Sequence, residues 1–514
     1  MPLRTLAASL FLLVASARAG WAVDVATVSD LRAAIDSAQP GTTIHLANGL
    51  WKVGASVATK VAGTADKPIT ITADSAAGVR LDFSADEGLV VAHPYWVVEK
   101  VWLNGVCSGC ASSGIHLQPG ADHLIVRYAR ITNFATGIKA ERTAAAEVSD
   151  VVVQGNELYN DAGQRTAGSA PLEIVGGQRW LITSNFIHDY GGTATHPGLA
   201  VRGGAADLTI EQNLIAGAKT LAAAGSAAGL SLGGAGTPPD ACATDNRAGS
   251  SCACEVSMGI VRNNIIAHGG AAGLEANLAC GTKVENNNFY DTTPGCQLAM
   301  AGATPVDVRY NVFSGAMVGI PAAMNLASVT AAAYKMVYLD PDNLDFYQGP
   351  NDKLVNDVTP GNPDAPLDYT GLKRKATNDW GAMELPATIH TWPWAGAAMI
   401  GAGAVPTMEI PPGASIDAGA VNDAPAGGMS GAGGSGGMSS AGGDAGSGAG
   451  GNAGSAGNGS GGGMTGAAGG ARGGASSSGG GCSTGGEPVT GSSIAFFALI
   501  LTSALLWLAH RRRA

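Results

Sequence analysis

Val151-Val152-Val153-Gln154-Gly155-Asn156-Glu157-Leu158 reads apolar-x-apolar-polar-x-Asn-x-apolar. The same eight positions return at Trp180 to Ile187, Leu208 to Ile215, Met258 to Ile265, Thr282 to Phe289 and Val306 to Phe313. Weaker copies without the Asn run from Trp96 to Leu103 and from Leu124 to Ile131. The sixth positions are Val101, Ala129, Asn156, Asn185, Asn213, Asn263, Asn287 and Asn311, spaced 28, 27, 29, 28, 50, 24 and 24 residues apart. One period recurs, and the 50-residue step holds an insertion.

A second short strand follows each copy after a turn. These strands read Gly114-Ile115-His116-Leu117, Gly137-Ile138-Lys139-Ala140, Pro171-Leu172-Glu173-Ile174, Gly198-Leu199-Ala200-Val201, Gly229-Leu230-Ser231-Leu232 and Gly273-Leu274-Glu275-Ala276. Alternation is of period two with no helical period between, which predicts strands. A repeat of this length cannot bury a face alone, so it must stack into a solenoid. Leucine-rich repeats share the period but their Leu-x-Leu signature is absent, and propeller blades need four strands. The expected fold is all-β, a right-handed parallel β-helix. At a tight turn that points one residue inward, an Asn amide both donates and accepts, so stacked Asn residues bond the turn backbone and one another. The repeat therefore predicts Asn156, Asn185, Asn213, Asn263, Asn287 and Asn311 in one inward column.

The outward position after each second-strand Ile or Leu reads His116, Lys139, Glu173, Ala200, Ser231, Glu275 and Gln297; two residues on it reads Gln118, Glu141, Val175, Arg202, Gly233, Asn277 and Ala299. Only 13% of the 514 residues are charged, so this face is a concentration of charge. The loop before Arg202 adds His188-Asp189-Tyr190 and His196. The plain alternative is a solvated face of cross-strand ion pairs, each worth little. The net charge of −11 argues against a nucleic-acid partner.

The ends read as an address. Arg4, the apolar run Leu6 to Val14 and Ala17-Arg18-Ala19 form a signal-peptide pattern over residues 1–19. The β-helix domain is expected over 23–422, with an amphipathic segment around Leu31 and Ile35 capping its first rung. Residues 330–420 are Pro-rich and irregular, and read as closing rungs and a wrap. Residues 426–490 hold 29 of the 77 Gly and only Asp444, Arg472 and Glu487 as charges, so they predict a flexible tether. An apolar stretch over 492–510 predicts a membrane helix, and the basic tail 511–514 its cytoplasmic end. Membrane attachment with the β-helix domain outside the cytoplasm follows. The glycine run, Gly481-Cys482, short helix and Arg cluster resemble the myxobacterial-type C-terminal sorting tag, which implies processing near Cys482; an uncleaved anchor is the alternative.

Leu31 to Lys52, with Pro40-Gly41-Thr42-Thr43-Ile44-His45-Leu46 and Gly49-Leu50-Trp51, resembles the opening of polysaccharide-lyase-like (pectin-lyase-fold) β-helix proteins. Gly63 to Ile71 continues the likeness. Asp368-Tyr369-Thr370-Gly371 with Arg374 and Asp379 to Glu384 resembles their closing rung. That fold carries lyases, hydrolases, epimerases and adhesins. The resemblance implies a polysaccharide partner bound along the outward face. If the chain is a uronate lyase, a cation or Ca²⁺ must neutralise the substrate carboxylate so that a base can take the adjacent proton. Lys139 is then the expected base and Arg202 the carboxylate clamp. His116, Glu173, His188, His196 and Glu275 are expected to bind substrate, with Glu141 and Glu173 as calcium ligands. The alternative is a non-catalytic surface adhesin or glycan-binding protein of the same fold. The polygalacturonase-type hydrolase segments and the pectate-lyase Trp-Ile-Asp-His segment are absent. Asp340 to Asp345 looks faintly like a calcium loop but lacks Gly at its sixth position, and reads as a turn.

There are eight cysteines, for which an exported chain expects disulfides. Cys107 and Cys110 suit a local disulfide across a turn. Cys242, Cys252, Cys254 and Cys280 bracket the insertion and suit two disulfides in one of three pairings, or a zinc site with unusual spacing. Cys296 falls in an inward column and reads as a buried thiol.

Overall fold

The computed structural model describes residues 21–106, 113–143, 145–161, 170–190, 196–218, 228–233, 254–269, 271–292, 294–300, 304–319, 324–348, 359–360, 362–371, 373–375 and 377–384. The chain divides into two units, Met1–Gly427 and Gly428–Ala514, and every described residue lies in the first. The signal-peptide, tether, membrane-helix and tail segments lie outside the described residues, as does Cys482. Among the described residues no helix is long and apolar enough to cross a membrane.

Three parallel sheets run the length of the solenoid. The first has eleven strands, from Ala22–Val25 to Asp307–Arg309. The second, from Gly49–Val53 to Val312–Phe313, and the third, from Val57–Ala58 to Met317–Val318, have ten each. Each strand pairs in parallel with the strand one repeat away, as in Val152↔Leu181, Leu158↔Ile187 and Leu172↔Leu199. Parallel strands joined by crossovers in one sheet take a right-handed path, and the result is a right-handed parallel β-helix. Side chains at alternate positions point inward: Val126, Val153, Ile182 and Ile210 from the first sheet, Ile131, Leu158, Ile187 and Ile215 from the second, and Ile138, Leu172, Leu199 and Leu230 from the third are at most 1% exposed.

The tight turn between the first and second sheets is built on an asparagine ladder. Asn156 Nδ2 donates to Asn185 Oδ1 at 3.0 Å, Asn185 Nδ2 to Asn213 Oδ1 at 2.9 Å and Asn213 Nδ2 to Asn264 Oδ1 at 2.9 Å. The chain of amides continues through Asn287 and Asn311 to Asn325. Each Asn backbone N–H also donates to the next Asn Oδ1, and each Nδ2 reaches a carbonyl on the preceding rung, such as Val126 O from Asn156. One expected member is displaced. Asn264, not Asn263, occupies the column, because Thr209 pairs with Ile260 and the repeat unit therefore starts one residue later than its apolar pattern suggests. Asn263 is the left-handed residue just before the column, with φ 55°. That role falls on Tyr128, Gly155, Ser184, Gln212, Asn286 and Tyr310 in neighbouring rungs. A short positive-φ step is what turns the following side chain into the interior.

Glycines ahead of the third-sheet strands serve close approach. A Cβ at Gly198 would lie 2.7 Å from Tyr190 Cε1, and one at Gly229 would lie 2.3 Å from Ile266 Cγ2.

Helix α1 (Val28–Asp36) closes the first rung as expected. Thr27 Oγ1 accepts from Asp30 N at 3.1 Å, and Leu31, Ala34 and Ile35 are buried. The segment after the last rung is more ordered than its sequence suggests. It holds helix α2 (Ala331–Val337), capped by Thr330, and its Tyr334, Val337, Tyr338 and Phe346 form a second core with Phe186, Leu214, Ile265 and Val312 on the outward face of the second sheet. Asp340 to Asp345 is a turn, with Asn343 Nδ2 donating to Asp340 Oδ2 at 2.7 Å. Arg374 is buried, donates to Glu384 Oε2 at 3.2 Å and to Asn263 Oδ1 at 2.7 Å, and so fastens the closing segment to the ladder turn.

Cys254 and Cys280 form a disulfide with Cα atoms 5.6 Å apart. It removes two of the four thiolates that a zinc site would need. Cys242, Cys252, Cys107 and Cys110 lie outside the described residues. Cys296 is a buried free thiol.

Asn213→Ala removes one rung of the ladder: it takes away the acceptor of Asn185 N and of one Asn185 Nδ2 proton, the other still reaching Val153 O, and the amide donor to Ile182 O. At about 1–3 kcal/mol per buried orphan, unfolding free energy should fall by about 3 kcal/mol or more. Urea denaturation of the parent and variant measures it.

Candidate functional site

The third sheet carries the charged outward column in consecutive register. His116 pairs with Lys139, Lys139 with Glu173, Glu173 with Ala200, Ala200 with Ser231, Ser231 with Glu275 and Glu275 with Gln297. Neighbouring positions are about 4.8 Å apart along the axis. In the next column Val175 pairs with Arg202. A register shift after Ala276 aligns Asn277 with Met300, not Ala299.

Two clusters stand on this face. In the first, His116 Nδ1 lies 2.5 Å from Glu87 Oε1, while Nε2 lies 3.3 Å from Glu141 Oε2 without hydrogen-bond geometry. Lys139 Nζ forms an ion pair with Glu141 Oε1. Burial pushes the Glu141 carboxyl up, but the Lys139 ammonium and the His116 ring outweigh it and hold the group below its usual range. In the second cluster, Arg202 Nη2 donates to Glu173 Oε1 at 2.5 Å. Arg202 Nε is buried and has no hydrogen-bond partner, so the guanidinium keeps one donor unused. His196, half-buried in the lead-in to the strand that carries Arg202, feels both charges. Burial lowers its imidazole below the ordinary value; Glu173 opposes the shift and Arg202 adds to it.

Between these clusters and Glu275 the column holds only Ala200 and Ser231, so the floor of the face is small there. Glu141 and Glu173, the expected calcium ligands, are each matched to a cation. Among the described residues no group of three His, Cys, Asp or Glu converges on one point. As they stand these side chains do not fit a calcium site.

His188 lies elsewhere. It belongs to the outward face of the second sheet, stacked between Phe186 at 4.0 Å and Tyr159 at 4.6 Å. Its Nδ1 meets Asp189 Oδ2 at 2.8 Å and its Nε2 faces Glu157 Oε1 at 3.4 Å. Glu157 Oε2 accepts from Arg130 Nε at 2.7 Å, and the Arg130 guanidinium lies 4.7 Å from the Trp102 ring centroid. Arg130 and Glu157 are each 1% exposed. Sequence reading missed this network because Arg130 and Glu157 share one position of successive repeats while His188 lies two residues further on in the next, beyond the repeated pattern: Arg130↔Glu157, and Tyr159↔His188. The Glu87 partner of His116 was also missed, since it precedes the repeats that carry the clear pattern.

A model of the right-handed β-helix region matches residues 113–331, and a chondroitinase B model matches residues 25–164. Among curated proteins none matches the chain. Of solved structures, the pectate lyase Pel9A is similar over 68% of this chain and 90% of its own, at 17% identity and a TM-score of 0.50. A rhamnogalacturonan lyase is similar over 65% of this chain and 92% of its own, at 13% identity and a TM-score of 0.43. An alginate lyase from Paenibacillus is similar over 60% and 99%, at 15% identity and a TM-score of 0.32. At such identities the likeness is one of fold. The protein is a right-handed parallel β-helix solenoid. Within that class it resembles the polysaccharide-lyase-like families.

Two outcomes test the buried network. Glu157→Gln takes from the buried Arg130 the carboxylate that its Nε bonds and should cost about 3–5 kcal/mol, read from denaturant midpoints. Burial works against the His188 imidazolium, but Asp189 and Glu157 outweigh it and raise the folded value. A raised value means that the stabilisation is complete below about pH 6.5, the ordinary imidazole value, and is lost as pH rises through the folded value. The stability gap between parent and His188→Gln should therefore be larger at pH 6 than at pH 9.

Proposed function

We propose that this chain is a carbohydrate-active β-helix protein that acts as a lyase on an acidic, uronate-bearing polysaccharide bound along the third sheet. The carrying observation is the charged column His116, Lys139 and Glu173, joined by Arg202, on consecutive rungs of a chain poor in charge. Lyase chemistry starts by neutralising the uronate carboxylate, which makes the neighbouring C–H acidic. Arg202 suits that contact, because a guanidinium offers a fork of donors and Glu173 takes only one of them, at Nη2. Lys139 stands one rung from Glu173, on the side away from the Arg202 rung, so a polymer lying along the axis would meet both cations. No step is routed through calcium. A site outside the cytoplasm, with the chain tethered through 426–490 and 492–510, agrees with the Cys254–Cys280 disulfide, a bond that persists in oxidising compartments.

A second reading is a non-catalytic glycan-binding protein of the cell surface. It is favoured by the mutual pairing of Lys139 with Glu141 and of Arg202 with Glu173, which is what a static ion-pair face would show.

The deciding experiment incubates the purified protein with alginate, pectate and chondroitin-type polymers and follows the absorbance of unsaturated sugar ends. The lyase reading expects new absorbance on at least one polymer. It also expects a loss of at least about 100-fold in Lys139→Ala and a raised KM in Arg202→Lys, with both variants folded. No absorbance on any polymer, with retention on a polymer column, would establish the second reading instead.

A further inference from the structure

Resting on the lyase reading, we propose that His196 is the general base of the reaction and that Lys139 is its proton donor. The assignment exchanges the role expected of Lys139, and the pairing pattern drives the exchange. Lys139 Nζ rests on Glu141 as an ion pair, so its nitrogen has no lone pair directed at a substrate. Arg202 is bonded to Glu173 and carries no basic site at all. His116 is placed between Glu87 and Glu141, with a carboxylate facing each ring nitrogen. His196 differs from all of these. Among the described residues it makes no hydrogen bond or ion pair, although it is half-buried beside the second cluster.

Its position suits the task. His196 lies just ahead of the strand Leu199–Arg202, whose Ala200 is the in-register neighbour of Glu173. Lys139 is the neighbour of Glu173 on the other side. A sugar chain running along the axis over Ala200 and Glu173 would therefore meet Arg202 and His196 at the Ala200 rung and Lys139 one rung beyond Glu173. Two charged groups act on the imidazole: Glu173 from the preceding rung and Arg202 from its own strand. Burial and Arg202 together outweigh Glu173, which keeps the ring neutral and able to accept a proton near pH 7.

The step balances without a further reagent. The imidazole of His196 takes the proton from C5 of the uronate. The released electron pair forms the C4–C5 double bond, the C4–O bond breaks, and its pair leaves on the glycosidic oxygen. Lys139 gives that oxygen a proton. Solvent exchange then moves the proton from the His196 imidazolium back to the Lys139 amine.

The test uses the intact protein on whichever uronate polymer it cleaves. His196→Ala should lower kcat by at least about 100-fold with KM changed less than about twofold, and added imidazole should restore turnover. His196→Gln, which keeps a polar side chain of similar reach, should be equally slow and should melt with the parent, so that loss of fold is separated from loss of base. In the parent, kcat/KM should fall on the acid side as the imidazole protonates. Turnover in His196→Ala or His196→Gln at the parent rate overturns this assignment and leaves the lyase reading standing. So does a slow, folded variant that imidazole does not rescue. Absence of turnover by the parent on every polymer overturns both.

Discussion

The asparagine ladder is the constraint on which the solenoid depends. A tight turn between two sheets leaves backbone N–H and C=O groups inside the protein, where each orphan costs about 1–3 kcal/mol. An Asn amide has two donors and an oxygen with two acceptor sites, and in the middle of the ladder, as at Asn185, every capacity is used. Asn185 Oδ1, for example, accepts from Asn156 N at 2.9 Å and Asn156 Nδ2 at 3.0 Å. The amide geometry fixes the rung spacing at this corner, and the hydrogen-bonded sheets carry the spacing around the remaining two. Asp or Ser could not replace it, since one lacks donors and the other lacks the second donor.

With the interior filled by aliphatic columns, the outward faces are left to differ. The second sheet's outward face is apolar along Phe186, Leu214, Ile265 and Val312, and the closing segment covers it with Tyr334, Tyr338 and Phe346. Earlier in the same sheet Arg130, Glu157 and His188 are buried together, so that face accommodates charge only as a matched network. The third sheet keeps charge on a more open face. Lys139 and Glu173 are half-buried there, and small residues follow them along the axis.

Most of the architecture was legible in the sequence because period-two alternation and a recurrent Asn are local signals. The third-sheet column was read correctly through seven positions from His116 to Gln297, since register in a solenoid follows from the repeat once the repeat is aligned. The reading failed by one residue at Asn263, where three apolar residues, Met258, Ile260 and Val261, admit two alignments and only the pairing of Thr209 with Ile260 selects one. It failed again at Ala299, because a bulge has no compositional mark. The closing segment looked irregular since its helix is seven residues long and its aromatic residues serve a face of the solenoid, not a core of their own. Side-chain roles were the least legible. Histidines near one another in sequence separate, His188 into a strand of the second sheet and His196 into the lead-in to a strand of the third.

That separation follows from the geometry of the solenoid itself. A rung turns the chain through three faces within one repeat, so proximity in sequence places groups on different faces while one full repeat brings them together. Lys139 and Glu173 are 34 residues apart and adjacent; His188 and Glu173 are 15 apart and belong to different sheets. A site on such a scaffold must therefore be assembled from successive periods, one or two side chains from each. Its spacing along the axis is preset by backbone hydrogen bonds, which leaves the choice of side chain at each rung free to vary without disturbing the ladder beneath it. The charge pairs on the third sheet use that freedom. Glu141 and Glu173 hold Lys139 and Arg202 in place from the same or the neighbouring strand, so the cations are oriented before any ligand arrives, and the rigid rung spacing rather than loop closure sets the distance between them.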